Sequence, residues 1–217
     1  MSPPRPARPA ARIVLPGRYA RLEPLGAGHA GDLFAAAAAP GGAERFDWLF
    51  EYPPASPAEM AAWAGKVATQ ADPMLFAVVD TATGRALGRQ ALMRIVPEHG
   101  VIEIGSIWCG PAMARTRLAT EALYLFARHV FEDLGYRRLE WKCNDRNEPS
   151  KRAAQRFGFT FEGLFRQHMI QKGENRDTAW FAMLDSEWPV RKAGFERWLD
   201  PKNFDEVGVQ RDKLDVW

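Results

Sequence analysis

The residues from Glu103 to Ala122, EIGSIWCGPAMARTRLATEA, gather groups suited to binding an anion into one short stretch. The apolar run from Val101 to Trp108 reads as a strand, Gly110 and Pro111 stop it, and a basic connection leads straight into a helix. First-turn amides of a helix have no intrahelical partner, and the helix dipole adds partial positive charge there, so this junction suits a phosphate. Arg115, Thr116 and Arg117 add two guanidinium groups and a hydroxyl to the same turn.

The elements that must position this stretch follow from local signals. Tyr19 to Leu22 reads as a first strand. Gly26 to Asp32 opens a helix that continues through Leu33, Phe34 and an alanine run and is stopped by Pro40-Gly41-Gly42. A short aromatic piece, Ala43 to Phe50, follows. Ser56-Pro57-Ala58-Glu59 supplies a cap, a proline at the first helical position and a first-turn glutamate, ahead of helical spacing at Met60, Trp63 and Val67. Asp72-Pro73 breaks that helix. Met74 to Val79 and Leu87 to Val96, joined by a turn at Asp80 to Gly84, read as a hairpin, with Val101 to Trp108 the third strand of the meander.

The helix from Arg117 places apolar residues at 118, 122, 125, 126 and 130, the spacing of one buried face, with Glu121, Arg128 and Glu132 elsewhere. Gly135 ends it as a left-handed cap would. Arg137 to Cys143 is the next strand, and the helical crossover lets it run parallel to Val101–Trp108. A polar loop, Asn144 to Pro149, leads to a short helix from Ser150 to Arg156. Leu164 to Gln171 and Thr178 to Leu184 pair across a turn at Lys172 to Asp177, and Pro189 to Leu199 is amphipathic.

At 217 residues, with no dividing linker, the chain is expected to form one α/β domain over residues 13–200. Its Pro- and Ala-rich start, 1–12, is expected to be disordered, and 201–217 is a polar C-terminal extension. The net charge of +2 gives no global case for a nucleic-acid or membrane partner. Between Arg115 and Arg156 ten basic residues face six acidic ones, but no aromatic stacking pattern accompanies them, so nucleic-acid binding is a weak third reading. Cys109 and Cys143 have no paired spacing, which favours reduced thiols in a cytoplasm. No apolar run approaches the ~20 residues that span a bilayer.

Several motifs fail. Gly105 to Gly110 is followed by Pro111 rather than the lysine of a P-loop, no dinucleotide-type glycine triplet is present, and Ser106 lacks a nucleophile elbow. The four histidines are scattered without metal spacing, so no metal is expected.

What remains is a strand, an anion-cradling turn and helix, a second strand, then Asn147-Glu-Pro-Ser150 and Phe157-Gly158-Phe159. This order resembles the GCN5-related N-acetyltransferase (GNAT) superfamily, and within it the ribosomal-protein alanine N-acetyltransferase-like (RimJ/RimL-type) branch. That branch opens its helix with Gln-x-x-Gly-x-Ala-Thr-Glu-Ala. Here Ala114-Arg-Thr-Arg117-Leu-Ala119-Thr120-Glu121-Ala122 matches the second half, with Ala114 in place of glutamine and Arg117 in place of glycine. Asn147-x-x-Ser150 and Gly158-Phe159-x-x-Glu162-Gly163 fit at the right distances, and the likeness runs from about Leu22 to Trp188.

The resemblance implies a mixed, mostly antiparallel sheet with helices on both faces and a V-shaped splay between two central parallel strands. It implies acetyl-CoA in that splay, bound beside Ile107 and Trp108, the latter either a core residue or a wall of the acyl pocket, with the pyrophosphate on the amides of Arg115, Thr116, Arg117, Leu118, Ala119 and Thr120. The Arg117 side chain then swings outward, either to a cofactor phosphate or onto an ordinary surface. Asn147 resembles the residue that bonds the pantetheine arm, with an Asx-turn as its other reading. The implied chemistry is direct attack of a primary amine on the thioester, which needs a base or ordered water and a proton donor for the leaving thiolate.

Glu103 stands 11 positions before Ala114, where histone-acetylating relatives carry their base, and its apolar strand neighbours would raise its pKa. It is either that base or a structural carboxylate paired with Arg89 or Arg94. The tyrosine acid of many relatives is absent, since Ala154 holds its position. Ser150 is the hydroxyl left for the thiolate, unless it caps the following helix. Asn175 to Trp180, with Trp141, Lys142, Phe165 and Arg166, could line the acceptor site, although hairpin turn chemistry explains Asn175 and Asp177 as easily.

The acceptor amine is a protein N-terminus or a small molecule. The second class is a domain of this fold that binds acyl-CoA without efficient catalysis, as a sensor or interaction module. Oligomeric state stays open, a homodimer included.

Overall fold

The computed structural model describes residues 6–217, which form eight strands and five α-helices. They pack as two compact units, neither of them one continuous segment. The first comprises Pro9–Ile95 and Glu103–Phe126, and the second Val96–Ile102 and Ala127–Trp217 with residues 6–8. Residues 1–5 of the expected disordered tail lie outside the described residues. Beyond them the backbone is tied down: Ala7 N donates to Pro97 O (2.9 Å) and Arg8 N to Leu134 O (2.8 Å).

In the first unit the strands run in the order β1 (Leu15–Pro16), β2 (Ala20–Pro24), β3 (Met74–Asp80), β4 (Ala86–Val96) and β5 (Val101–Cys109). The pairs β1/β2, β2/β3 and β3/β4 are antiparallel. Alternation along β3 assigns its two faces. Leu75, Ala77 and Val79 join a core with Leu33 and Ala37 of α1 (Ala30–Ala38) and Met60, Ala64 and Val67 of α2 (Pro57–Val67). Phe76 turns the other way, edge-on to Phe126 of α3 (Arg117–Arg128) at 5.1 Å between centroids. Helices therefore cover both faces of this sheet.

Local signals set these boundaries. The Ser56 hydroxyl accepts from Glu59 N at 3.1 Å, and proline follows at the first helical position. Gly135, at φ +74°, closes the stretch after α3 in the left-handed conformation.

The second unit is built on β6 (Arg138–Asn144), β8 (Glu174–Leu184) and β7 (Thr160–Gln171), in that spatial order and antiparallel. With them are α4 (Glu148–Arg156) and α5 (Trp188–Leu199). Trp141 and Phe159 pack at 5.6 Å, and Phe157 stacks on Phe195 of α5 at 6.2 Å. The hairpin differs from expectation. Its turn is only Lys172-Gly173, at φ +51° and +82°, and Gln171 pairs with Glu174. Two consecutive left-handed residues suit the tight turn that matches strand twist, so Asn175 and Asp177 belong to β8 rather than to a loop.

The C-terminal extension packs. Val216 is buried, and the Arg191 guanidinium donates to its carbonyl at 2.8 Å.

Candidate functional site

The junction before α3 has a defined geometry. Met113 N and Ala114 N both donate to Gly110 O, and Thr116 N and its hydroxyl donate to Met113 O, the hydroxyl at 2.6 Å. Thr116 thus spends its proton within its own turn, where the sequence offered it to a ligand. Arg115 is exposed and left-handed at φ +63°. The helical ladder begins with Thr120 N to Thr116 O at 3.4 Å, so the amides of Arg117, Leu118 and Ala119 precede the first i to i−4 bond. Leu118 and Thr120 turn buried side chains inward. An anion at this turn would meet backbone N–H groups, which fits the pyrophosphate role that these positions suggest.

The Arg117 guanidinium carbon lies 4.3 Å from the centroid of the Tyr19 ring. Tyr19 is placed by Glu121, one helical turn beyond Arg117. The Glu121 carboxylate accepts from the backbone N–H of Arg18 (2.9 Å), Tyr19 (2.5 Å) and Ala20 (2.6 Å). Gly17 makes that approach possible, since a Cβ there would sit 2.8 Å from the carboxyl carbon and 2.6 Å from Ala20 O. The neighbouring residue, Ala122, accepts at its carbonyl from buried Gln90 of β4 at 2.8 Å. Sequence reasoning set Glu121 on the polar side of α3 and gave Tyr19 no role. The available signal was a carboxylate one residue before a buried alanine, which is not enough to name a partner a hundred residues away.

Glu103 is 3% exposed and forms an ion pair with Arg94, Nη1 to Oε2 at 2.5 Å. Of the two arginines the sequence offered, Arg94 is the partner. Arg94 sits at φ +48°, where its N–H and that of Ile95 donate to the Asp72 carboxylate at 3.0 and 3.1 Å. Arg89 is engaged elsewhere. It donates to the Ser106 carbonyl (3.1 Å) and hydroxyl, pairs with Glu51 at 2.9 Å and lies 4.8 Å over the Trp63 ring. Burial pulls the Arg89 pKa down, and Glu51 opposes that shift.

Ser106 itself is left-handed at φ +48°, an irregularity in β5 just before half-buried Ile107. Trp108 is 2% exposed and packs against Phe46 at 5.2 Å, within the α1–α2 core. Its side chain belongs to that core.

In the second unit, α4 starts at Glu148, two residues earlier than expected, and Asn147 is its cap: Oδ1 accepts from Ser150 N at 3.1 Å. The capping role considered for Ser150 is thereby corrected. The reason is local, because proline at the second helical position lets the helix begin before it. The Ser150 hydroxyl oxygen instead accepts from the Trp141 indole N–H at 3.0 Å. Ser150 also hydrogen-bonds Cys143, whose thiol pKa is raised by burial and partly lowered again by Ser150. Both cysteines are free thiols.

On the β7–β8 ladder, Asp177 accepts from Gln167 N (2.7 Å) and the Asn175 amide (2.9 Å), with Gln167 left-handed at φ +50°. The Gln167 bond, then the Asn175 bond, hold the Asp177 carboxyl below its usual range. These three residues and Arg166 line an open hollow. Lys142 is held between Glu140 at 2.7 Å and the face of Trp180 at 3.7 Å. Among the described residues no group of three His, Cys, Asp or Glu could hold a metal ion, and no helix is long and apolar enough to cross a membrane.

Known proteins resemble this chain over most of its length. A GCN5-related N-acetyltransferase from Brucella melitensis is 55% identical, with a TM-score of 0.94 over 96% of this chain and 95% of its own. A protein from Chromobacterium violaceum described as a probable GNAT-family acetyltransferase is 41% identical, with a TM-score of 0.78 over 85% of this chain and 92% of its own. The N-acetyltransferase YnaD of Bacillus subtilis, described as uncharacterized, is 26% identical over 102 residues, 47% of this chain and 59% of that protein, so the chain spans about three fifths of that curated relative's length. The model of the acetyltransferase (GNAT) domain matches residues 20–160, well over half of the chain, and with the fold and the amide-lined turn before α3 it means that this chain belongs to the GNAT acetyltransferase family.

Proposed function

We propose that the chain transfers an acetyl group from acetyl-CoA to a primary amine, and that the amine is the N-terminus of a protein, as in the ribosomal-protein branch its helix motif resembles. The observation that carries this reading is the turn before α3. Its first helical bond is Thr120 N to Thr116 O, so the turn is a helix end of the kind that suits a pyrophosphate, with the Arg117 guanidinium beside it on the Tyr19 ring.

The transfer forms a C–N bond and breaks the C–S bond of the thioester. The attacking ammonium gives up a proton first, and the leaving thiolate gains one. Ser150 is suited to the second task. Asn147 does the capping, the Trp141 indole donates to the Ser150 oxygen, and the Ser150 hydroxyl, already bonded to the Cys143 sulfur, has a proton that can be passed on to a thiolate sulfur in its place. Glu103 is less suited to the first task, because a carboxylate held by Arg94 at 2.5 Å keeps its charge engaged. We assign Glu103 to bracing β4 against β5 and amine deprotonation to an ordered water.

The test is thiol release on mixing the protein with acetyl-CoA and a panel of peptides with free N-termini and small amines. Release that depends on at least one peptide supports the proposal, and release with small amines alone moves the acceptor class. Tight acetyl-CoA binding with no release for any amine would favour the second reading, an acyl-CoA-binding sensor. The Glu103–Arg94 pair and the buried Ala154 at the place of the usual tyrosine speak for that reading. A further check is Glu103→Gln. Turnover reduced less than about threefold fits a bracing role, whereas a loss of about a hundredfold in a folded protein would make Glu103 the base.

A further inference from the structure

We infer that Tyr19 is a positioning residue for the donor substrate: its ring is a shelf that holds the Arg117 guanidinium at the start of α3, in place to meet a phosphate group. This rests on the reading of that turn as the pyrophosphate site and adds to it a residue from another part of the chain. The geometry has three linked parts. Gly17 lacks the side chain that would block the approach of Glu121. Glu121 then binds three successive amides, Arg18 to Ala20, and so fixes the backbone of Tyr19 against α3. The Tyr19 ring, delivered there, lies 4.3 Å under the Arg117 guanidinium.

A second tie holds the same loop from the opposite side. The Thr81 hydroxyl donates to Arg18 O at 2.7 Å, and Thr81 N donates to Tyr19 O at 3.0 Å. Tyr19 is therefore bonded at both its N–H and its carbonyl, which fixes the backbone from which its ring projects.

The physical advantage concerns entropy and orientation. Arginine is a long, rotamer-rich side chain, and ordering it on binding costs affinity. A guanidinium resting over an aromatic face is already restricted, and a planar, forked group held in this way is suited to recognising phosphate. Glycine usually opens this helix in the resembling branch, and Arg117 replaces it. The ring gives the longer side chain somewhere to lie that is not the amide cradle.

The test measures acetyl-CoA dissociation constants by calorimetry on the full chain, with thermal unfolding as a check on folding. Arg117→Gln is expected to weaken binding about tenfold. Tyr19→Leu should weaken it about three- to tenfold, and Tyr19→Phe, which keeps the ring, less than twofold. In the Arg117→Gln background, Tyr19→Leu should add almost nothing, because the shelf then has nothing to hold. Arg117→Lys keeps the charge but not the planar stack, so it should lose most of what Arg117→Gln loses, and it tests the idea even if Tyr19→Leu unfolds. Equal losses from Tyr19→Phe and Tyr19→Leu, full affinity in Arg117→Lys, or additive losses in the double variant overturn the positioning role while leaving the phosphate site intact. Unchanged affinity in Arg117→Gln overturns both.

Discussion

The first turn of α4 is closed by its own chain, whereas the first turn of α3 is anchored from the side. At α4, Asn147 supplies the cap, and both its Oδ1 and its carbonyl accept from Ser150 N. At α3, Thr116 turns its hydroxyl back to Met113, and the strong contacts come from the helix flank: Glu121 with the amides of Arg18, Tyr19 and Ala20 at the entry to β2, and Gln90 with the Ala122 carbonyl. The difference shows how a helix N-terminus can be kept for a ligand. If a side chain caps it, the amides are spent. At α3 the helix is held one turn later, by the Glu121 carboxylate and the Ala122 carbonyl, so its position is fixed from the flank.

The largest expected effect removes the lateral anchor. Glu121→Ala leaves the amides of Arg18 to Ala20 without their acceptor and should cost on the order of 3 kcal/mol in denaturant unfolding. A loss under about 1 kcal/mol would mean that α3 is not held from its flank. Next in size is a charge reversal at the open end. Arg117→Glu should weaken acetyl-CoA binding more than tenfold, roughly, with little change in melting temperature, and equal binding would remove the phosphate role from this turn.

The matching change at the closed end is smaller. Asn147→Ala should cost about 1 kcal/mol, with Asn147→Asp restoring most of it. If Asn147→Ala were as costly as Glu121→Ala, the distinction between the two helix starts would collapse.

The smallest effect concerns charge pairs of the second unit. Arg138 bonds both Glu140 and Glu162. The Arg138 bond holds the Glu162 carboxyl below its ordinary 4.5, and partial burial opposes this without cancelling it. For Glu140 burial pushes upward most, but the bonds from Lys142 and Arg138 together outweigh it. Both folded carboxyls bind protons less readily than unfolded ones, so their contribution is complete above about pH 4.5 and fades as pH falls through the lowered values. Each pair is partly exposed and worth about 1 kcal/mol at most. Amide exchange in β6 and β7 should accelerate below that pH, and exchange in β3, where Met74 to Val79 carry no carboxylate, serves as the reference.

Much of the fold was legible before any coordinates. The Ser56 cap, the β3–β4 hairpin, β5 and the start of α3 at Arg117 were readable because their signals are local: a capping hydroxyl, a glycine turn, a proline stop, a helical period. The β7–β8 turn was misread because Asn175, Arg176 and Asp177 look like loop residues. The actual turn is two residues long, and the polar side chains that suggested a loop are bonded across the ladder, as Asp177 is to Gln167. Ser150 was a candidate cap until the register of α4, set by Asn147 and Pro149, assigned the cap to its neighbour.

What the sequence determined by itself is the strand, turn and helix that could cradle an anion, the order of motifs around it, and the absence of a P-loop or metal spacing. Backbone geometry follows from near neighbours, so those statements needed no tertiary contact. Only the tertiary structure decided the partners of the charged and polar groups. Glu121 meets amides 101 to 103 residues away, Glu103 takes Arg94 rather than Arg89, and Ser150 receives the Trp141 indole. Each of these groups had several chemically adequate partners along the chain. Which one it met was settled by the packing of apolar faces, which brings distant segments together and requires every polar group buried there to find a partner.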